Sequence, residues 1–256
     1  FNEKNIINKD IKKLFFMSAI IRLYFPDKIQ SDLSSHLPKE QTHYIKDVMR
    51  LKIGDKLSIF NISGEWNAII QSYEKKGARI KVMKKVREKE NEKNIWLAFS
   101  LIKQNPLNFI IQKGTELGIQ KFIPILTERS MVREINIERI KKIIVEASEQ
   151  SNRISVPEIN SPKSLKDFLL QFPKNGYLIF CDINSDKNNL KKILEKKNNT
   201  PLCILVGPEG DFSEYERKMI IEQTQTFSIS LAKNILKAET AALSAIAIVN
   251  YYLNRS

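Results

Sequence analysis

The hydrophobic pattern of this 256-residue chain changes its period once, and that change limits what the chain can fold into. From Ser18 to about Val86, apolar residues recur at every second position in short runs, which is typical of strands with one buried face. Beyond Asn94, apolar runs alternate with stretches of helical spacing. We therefore predict two domains, a small β-barrel over residues 17–88 and an α/β domain over residues 95–256.

The N-terminal part contains four strand-like runs and one helix. The alternating apolar residues are Ile21, Leu23 and Phe25; Leu57 and Ile59; Ala68 and Ile70; and Ala78, Ile80 and Val82. A helix is predicted to begin near Pro38, because proline suits a first helical turn, and to end before Gly54. The charged residues 84–93 have mixed signs, so we interpret them as linker, with the domain boundary at residues 89–94. Residues 1–16 are interpreted as an N-terminal extension.

The C-terminal part alternates strand candidates with helical segments. The strand candidates are residues 95–102, 122–126, 177–181, 202–206 and 227–231. This alternation predicts a mainly parallel sheet with helices on its faces. Ser161 and Pro162 are predicted to open one helix, and Ser213 with Glu216 predicts a capping box at another. An alanine-rich helix is predicted over residues 238–254.

The charge of the chain favours a polyanionic partner. Lys and Arg total 42 against 29 Asp and Glu, a net charge of +13, and basic surfaces attract phosphate. Nucleic acid is the first candidate and an anionic membrane the second. Residues 14–21 are too short to span a bilayer and lack a cleavage signature, so we expect a soluble, cytoplasmic protein. Cys181 and Cys203 lie in apolar runs and predict neither a disulfide nor a metal site.

Two C-terminal segments are the strongest candidates for a ligand site. LVGPEGDF, residues 205–212, follows a predicted strand, and ligands of open α/β sheets bind beyond the carboxyl ends of strands. Its glycines allow close backbone approach, while Glu209 and Asp211 would repel phosphate and favour a cationic ligand. LAKNILKAETAA, residues 231–242, leads into a helix of small residues. Taken alone, GPEG is more typical of an ordinary strand-to-helix turn, and the second segment of a helix start.

Taken in order, these segments resemble the RsmE family of SPOUT methyltransferases, which methylate N3 of a uridine in 16S ribosomal RNA using S-adenosylmethionine. GPEGDF is similar to the family's GPEGG, and LAKNILKAETA to its LGxRILRxETA. KGTELGIQKFIPILTERS at residues 113–130 and EASEQSNRISVPEI at residues 146–159 also match. HYIKDVMRLKIGDKLSIFN at residues 43–61 is similar to the family's PUA-like RNA-binding domain. The resemblance extends from about Ala19 to the C terminus.

The resemblance implies a C-terminal α/β domain with a deep trefoil knot, an S-adenosylmethionine pocket formed by the knot loops, and a homodimer that acts on the small ribosomal subunit. The cofactor contacts that it implies are Leu205, Gly207, Glu209, Gly210, Leu231, Ile235, Leu236 and Ala241. Three positions depart from the family pattern: Lys237 replaces an arginine, and Ala232 and Asp211 replace glycines. The arginine change matters most, because lysine does not reproduce a bidentate guanidinium contact.

The proposed reaction sets requirements on the side chains. Uracil N3 carries a proton at neutral pH, so the site must accept that proton or stabilise the resulting anion. We hypothesise that Arg153 or Lys237 stabilises the anion. Glu149 or Glu239 would position or accept the proton, and no metal is required. Purely structural roles are equally consistent with the sequence, since Glu149 and Arg153 have i,i+4 spacing and Glu239 lies at a helix N terminus.

Basic residues of both domains are expected to contact the RNA. The candidates are Arg22, Lys46, Arg50, Lys52, Lys103, Arg129 and Arg133. For any single lysine, a solvated surface charge is the more ordinary interpretation. Arg22 and Arg50 are stronger candidates because they lie in IIRLYF and VMRL, at positions that match the family.

Two other functions stay open on the sequence. One is a relative of the same fold that methylates a ribose 2′-hydroxyl, and the other is a non-catalytic RNA-binding protein that keeps the PUA-like barrel. A nucleotide-dependent dehydrogenase is disfavoured, because no dinucleotide fingerprint follows any predicted strand.

Overall fold

The computed structural model describes residues 21–185, 190–195 and 200–253. The chain divides after Glu90 into two compact units. The predicted extension at residues 1–16 lies outside the described residues. Within the described ranges, every helix is too short or too polar to span a bilayer.

The first unit is built on a five-stranded sheet with the strand order β1-β3-β4-β5-β2. The strands are β1 (Arg22–Tyr24), β2 (Ser34–His36), β3 (Lys56–Asn61), β4 (Gly64–Glu74) and β5 (Gly77–Glu88). β1 pairs parallel with β3, and the other pairs are antiparallel. The predicted alternating residues supply most of its core. β2, with the sequence SSH, has no apolar residue, so the hydrophobic pattern does not predict it.

Part of the charged run 84–93 differs from the prediction. We expected linker throughout, but residues 84–88 belong to β5, which pairs with β4, whereas residues 89–94 lie between β5 and the strand that begins at Ile95. Charged side chains are compatible with a strand whose faces are largely exposed at that point. The helix predicted near Pro38 is present: α1 (Lys39–His43) continues into a π-helical turn, Tyr44–Val48.

The second unit contains a seven-stranded sheet in which all the pairs are parallel, with the order β12-β10-β11-β6-β7-β8 and β9 also paired to β7. The strands are β6 (Ile95–Ser100), β7 (Lys121–Leu126), β8 (Glu158–Ile159), β9 (Lys163–Ser164), β10 (Tyr177–Cys181), β11 (Leu202–Val206) and β12 (Thr226–Ile229). The helices are α2 (Gln104–Glu116), α3 (Ile137–Gln150), α4 (Leu165–Gln171), α5 (Leu190–Glu195), α6 (Glu214–Ile221) and α7 (Ala238–Leu253). The predicted α/β fold class is confirmed.

The sheet of the second unit is buried on both faces. Successive residues of β11 alternate between two apolar clusters, since Cys203 and Leu205 belong to one and Ile204 and Val206 to the other. Strands buried on both faces are expected to be continuously apolar, as LCILV is. Because β12, β10 and β11 are neighbours, the loops that follow their carboxyl ends lie at one edge of the sheet.

Of the two predicted helix caps, one is present and the other is not. The capping box is confirmed: the Ser213 Oγ accepts from the Glu216 amide, and the Glu216 carboxylate accepts from the Ser213 amide. The cap at Ser161 and Pro162 is wrong, because α4 begins at Leu165 and Ser164 accepts from the Asp167 amide instead. The residue before it, Lys163, pairs with β7, so the backbone is extended where we predicted a helix.

Candidate functional site

A cleft opens at the carboxyl edge of the parallel sheet, beyond β10, β11 and β12. It has about 620 Å³ of empty space, part of it open to solvent. Residues 181–183 form one side. The loop after β11, residues 207–213, and the loop after β12, residues 230–237, form the others together with the start of α7. We call them the first and second pocket loops.

The first pocket loop is tightly packed. A Cβ atom at Gly207 would lie 2.8 Å from the buried ring of Phe212, so the backbone leaves no room for a side chain. Asp211, which replaces a glycine of the family pattern, has a left-handed conformation with φ of 59°. Aspartate tolerates this conformation better than most residues, and the Asp211 Oδ1 accepts from the Phe212 amide at 2.8 Å. Asp211 therefore keeps the turn that glycine would permit.

The second pocket loop is more open. Its backbone follows β12 into α7, and its hydrogen bonds are local: the Ser230 Oγ donates to the Ala232 carbonyl, and the Ala241 amide donates to the Lys237 carbonyl. Ile235 lines the cleft, yet 82% of its surface is exposed.

Asp182, directly after β10, is a lining residue that the sequence reasoning missed. Its side chain is fully buried, its Oδ2 accepts from Arg217 Nη2 at 2.7 Å, and its Oδ1 accepts from the Asn184 amide at 3.0 Å. The hydrogen bond to Asp182 raises the pKa of Arg217. An acidic residue at a strand's carboxyl end was the signal that could have identified it.

The thiol of Cys181, next to Asp182 in the chain, is not a candidate nucleophile. Cys181 lines the cleft, and burial raises the pKa of its thiol to about 12. Because the thiolate is the nucleophilic form, Cys181 is inert near neutral pH. Among the described residues, no group of three or more His, Cys, Asp or Glu side chains is placed to hold a metal ion.

Comparisons with known proteins identify the family. Residues 89–250 match the model of an RNA methyltransferase domain, and residues 37–83 match that of an RNA methyltransferase PUA domain. The chain is 34% identical over 231 residues to the ribosomal RNA small subunit methyltransferase E of Rickettsia conorii, covering 89% of this chain and 94% of that protein. The chain belongs to the ribosomal RNA small subunit methyltransferase E family. The resemblance seen in the motifs is thereby confirmed.

Two further relatives support the methyltransferase E assignment. The methyltransferase E of Bacillus subtilis is 31% identical over 225 residues, which cover 83% of this chain and 88% of that protein. The crystal structure of the methyltransferase E of Neisseria gonorrhoeae bound to S-adenosyl methionine has a TM-score of 0.80 and 26% identity, and the match covers 91% of this chain and 97% of that one.

Of the eight cofactor contacts predicted from the methyltransferase E resemblance, six line the cleft. These are Gly207, Glu209, Leu231, Ile235, Leu236 and Ala241. The other two do not. Leu205 is completely buried within β11, where its side chain packs in the core. The carbonyl of Gly210 accepts from Arg129 Nη1 at 2.5 Å.

Two of the four predicted catalytic residues adjoin a lining residue in the chain. Lys237 and Glu239 flank Ala238, which is a lining residue. The Lys237 side chain is exposed, whereas Glu239 is half-buried in the first turn of α7. The Glu239 Oε2 is buried, and within the described part of the chain it has no hydrogen-bond partner.

The other two candidates are not brought to the cleft. Glu149 is half-buried in the last turn of α3 and does not line it. Arg153 is buried: its Nη1 donates to the carbonyls of Thr115 and Ile119, at 2.7 and 2.8 Å, and its Nη2 donates to Glu92. Burial lowers the pKa of Arg153, an effect that Glu92 opposes. We had expected Arg153 to stabilise a substrate anion, but its donors are directed at the protein.

The predicted RNA contacts of the first unit differ in their exposure to solvent. Lys46, Arg50 and Lys52 are exposed. The Arg22 side chain, by contrast, is largely buried. Its guanidinium forms a two-bond ion pair with Glu65, at 3.0 and 3.1 Å, and lies over the ring of Phe60. Burial alone would raise the pKa of Glu65, but hydrogen bonds and charge, from Arg22 above all, lower it. Arg22 is thus part of an ion pair within the first unit, and its phosphate contact stays a prediction.

The predicted RNA contacts of the second unit are all exposed. Lys103 lies at the N-cap of α2. Arg129 donates to Gly210, as described above, and Arg133 Nη1 donates to the Thr127 carbonyl at 3.4 Å. Each arginine has further N–H donors. Their roles in RNA binding stay predictions.

Proposed function

We propose that this protein transfers a methyl group from S-adenosylmethionine to N3 of a uridine in 16S ribosomal RNA of the small subunit. The observation that carries the proposal is the cleft beyond β10, β11 and β12, formed by the two segments that match the methyltransferase E signatures. The proposal extends the family assignment to a cofactor, a base and an atom.

The chemistry of the cleft fits S-adenosylmethionine. That cofactor carries a sulfonium and an ammonium group. Besides Asp182, whose carboxylate is paired with Arg217, the cleft is lined by Glu209 and Asp211. Negative charge at these positions favours a cationic ligand. Apolar residues, among them Ile183 and Leu236, supply surface for a flat base. When bound, the cofactor supplies an electrophilic methyl group.

The residues of the chain have two tasks in this reaction. The pocket loops bind and orient the cofactor beside the RNA base. This lowers the activation barrier of methyl transfer, because the entropic cost of bringing the two reactants together has already been met on binding. We propose Glu239 as the group that accepts or positions the N3 proton, because its buried Oε2 has no hydrogen-bond partner among the described residues and the preceding residue, Ala238, lines the cleft. Lys237 is proposed to stabilise the developing negative charge. Arg153 and Glu149 are not retained as catalytic residues.

The RNA is proposed to contact exposed basic side chains on both units. These are Lys46, Arg50 and Lys52 on the first, and Lys103, Arg129 and Arg133 on the second. If they bind phosphate, their removal weakens RNA binding and reduces its dependence on salt concentration.

We also propose the homodimer, the knotted path and the cytoplasmic location that the family implies. The C-terminal helix supports the first of these. α7 is apolar around most of its circumference and exposes 51% of Tyr251 near its end. A helix that is apolar on nearly all sides is normally covered. The oligomeric state can be measured by light scattering at several protein concentrations.

A methylation assay tests the function directly. Purified protein and isotopically labelled S-adenosylmethionine are incubated with small subunits from cells that lack the gene, or with free 16S RNA, and the nucleosides are identified by mass spectrometry. We expect N3-methyluridine. Methylation of a ribose 2′-hydroxyl would assign the protein to the alternative reaction of the same fold. Absence of cofactor binding in calorimetry would favour a non-catalytic RNA-binding role.

A further inference from the structure

A segment outside the cleft holds the first pocket loop in place, and we infer that Arg129 and Glu216 are positioning residues for cofactor binding. The segment is residues 127–133, which follow β7 and have the sequence TERSMVR. Neither Arg129 nor Glu216 lines the cleft. The inference rests on the proposed function only in naming S-adenosylmethionine as the ligand.

The 127–133 segment is anchored to the sheet by a buried cluster of three hydroxyl groups. The Ser100 Oγ, at the end of β6, lies 2.8 Å from the Thr127 Oγ1 and 2.8 Å from the Ser130 Oγ, and the latter two are 2.7 Å apart. The Ser130 Oγ also accepts from the Thr127 amide at 3.0 Å. Three mutually bonded hydroxyls with little exposure form a rigid support, because each satisfies the others.

Glu216 joins this segment to the first pocket loop. It is only 4% exposed. Its Oε1 accepts from the Glu128 amide at 2.8 Å, and its Oε2 accepts from the Ser213 amide at 3.0 Å. One carboxylate therefore binds the backbone of the segment and the backbone at the end of the pocket loop. An ordinary capping box needs only the second of these bonds.

Arg129 makes a second connection, at the tip of the same loop. Its Nη1 donates to the Gly210 carbonyl at 2.5 Å, and its side chain lies 3.6 Å from where a Cβ at Gly210 would be. Gly210 lies between Glu209 and Asp211, which both line the cleft. A charged donor to this carbonyl thus fixes the orientation of the peptide groups that face the ligand.

These contacts matter because the loop, although Phe212 packs against Gly207, has few hydrogen bonds of its own. Inside it, the Asp211 amide donates to the Pro208 carbonyl at 3.0 Å, and Asp211 bonds the next amide. A loop with two internal bonds and a left-handed residue samples several conformations unless its surroundings select one. Holding it in the binding shape lowers the ordering cost of binding, so loss of the contacts is expected to weaken affinity.

The test measures cofactor affinity without RNA, so that any RNA contact by Arg129 does not enter. Calorimetry with S-adenosylmethionine compares wild type with Arg129→Met, Arg129→Lys and Glu216→Gln. We expect Arg129→Met to raise Kd about threefold to tenfold, as loss of one hydrogen bond predicts. Arg129→Lys, which can still donate to the carbonyl, is expected to recover most of the affinity. Steady-state kinetics at saturating RNA should show a higher KM for the cofactor.

Two exposed residues provide matched controls. Arg139→Met removes an exposed positive charge on α3, and Glu214→Gln removes a negative charge from the same helical turn as Glu216. Neither is expected to change Kd. Hydrogen exchange of the ligand-free protein provides a second measurement, in which Arg129→Met is expected to accelerate exchange within residues 207–213 selectively. A merely structural role would lower the thermal midpoint without this local change.

The outcomes separate the two proposals. If wild type binds no S-adenosylmethionine, the proposed function fails, and hydrogen exchange still decides whether the segment holds the loop. If wild type binds but Arg129→Met has the wild-type Kd and exchange pattern, the positioning role is overturned. Should Glu216→Gln fail to fold, the Arg129 variants decide whether the positioning role holds. The Arg129 side chain is exposed, so its replacement leaves no buried group unpaired.

Discussion

The two pocket loops line the same cleft but are held in different ways. The first, residues 207–213, packs the Phe212 ring beneath Gly207 and is bonded to Arg129 and Glu216. The second, residues 230–237, has local hydrogen bonds and exposes Ile235. The first loop is fixed by contacts with other segments, whereas the second is held by local contacts alone.

This difference suggests a division of work within the cleft. A preformed loop supplies affinity and orientation at low entropic cost. Under the proposed function, the open loop adjusts when ligand or RNA binds, and Glu239 in the first turn of α7 acts on the N3 proton. Substitutions in the first pocket loop should therefore weaken cofactor binding. Substitutions in the second pocket loop and at the start of α7 should lower turnover.

The largest effect is expected from Glu239→Gln. Removal of a general base lowers turnover about 100-fold to 10,000-fold, while cofactor affinity should change little because the glutamine keeps the size of the side chain. Single-turnover assays and calorimetry measure the two quantities. Glu138→Gln, at the equivalent position in the first turn of α3, is the control. Wild-type turnover in Glu239→Gln would remove Glu239 from the mechanism and end the proposed division.

Gly207→Ala is expected to act on binding. The added Cβ would lie 2.8 Å from the Phe212 ring, and overpacking of this kind costs about 1–3 kcal/mol in stability. We expect the cofactor Kd to rise about tenfold or more as the loop shifts. Gly210→Ala is the stability control, because the nearest atom to its Cβ is at 3.6 Å. Equal unfolding free energies for the two variants would show that the first loop is not tightly packed.

Ile235→Ala is expected to have the smallest effect. The side chain is 82% exposed, so the free energy of unfolding should stay within about 0.5 kcal/mol of wild type. If ligand covers Ile235, the cofactor Kd rises about twofold to fivefold from lost apolar burial. Denaturant unfolding and calorimetry measure the two. A large loss of stability in the ligand-free protein would mean that the second loop is packed in its own right.

Basic residues show where prediction from sequence stops. Arg22 and Arg50 look alike in the sequence, and both match the family pattern. In the structure Arg50 is exposed, with φ of 57°, whereas Arg22 is bonded to Glu65, 43 residues away in the chain. Arg153 likewise has its partners at Thr115, Ile119 and Glu92. No local spacing encodes such pairs, because they form only when distant strands and loops meet.

By itself, the sequence determined the change from a β unit to a parallel α/β unit, the capping box at Ser213, and six of the residues that line the cleft. The first two follow from local rules, since side-chain periodicity and capping act over a few residues, whereas the six lining residues follow from the resemblance of the motifs to the methyltransferase E family. Only the tertiary structure decided that Asp182 joins the cleft, that Arg153 and Arg22 face inward, and that Glu216 bonds the 127–133 segment. Those contacts depend on strand order in the sheet, which places segments distant in sequence at one edge.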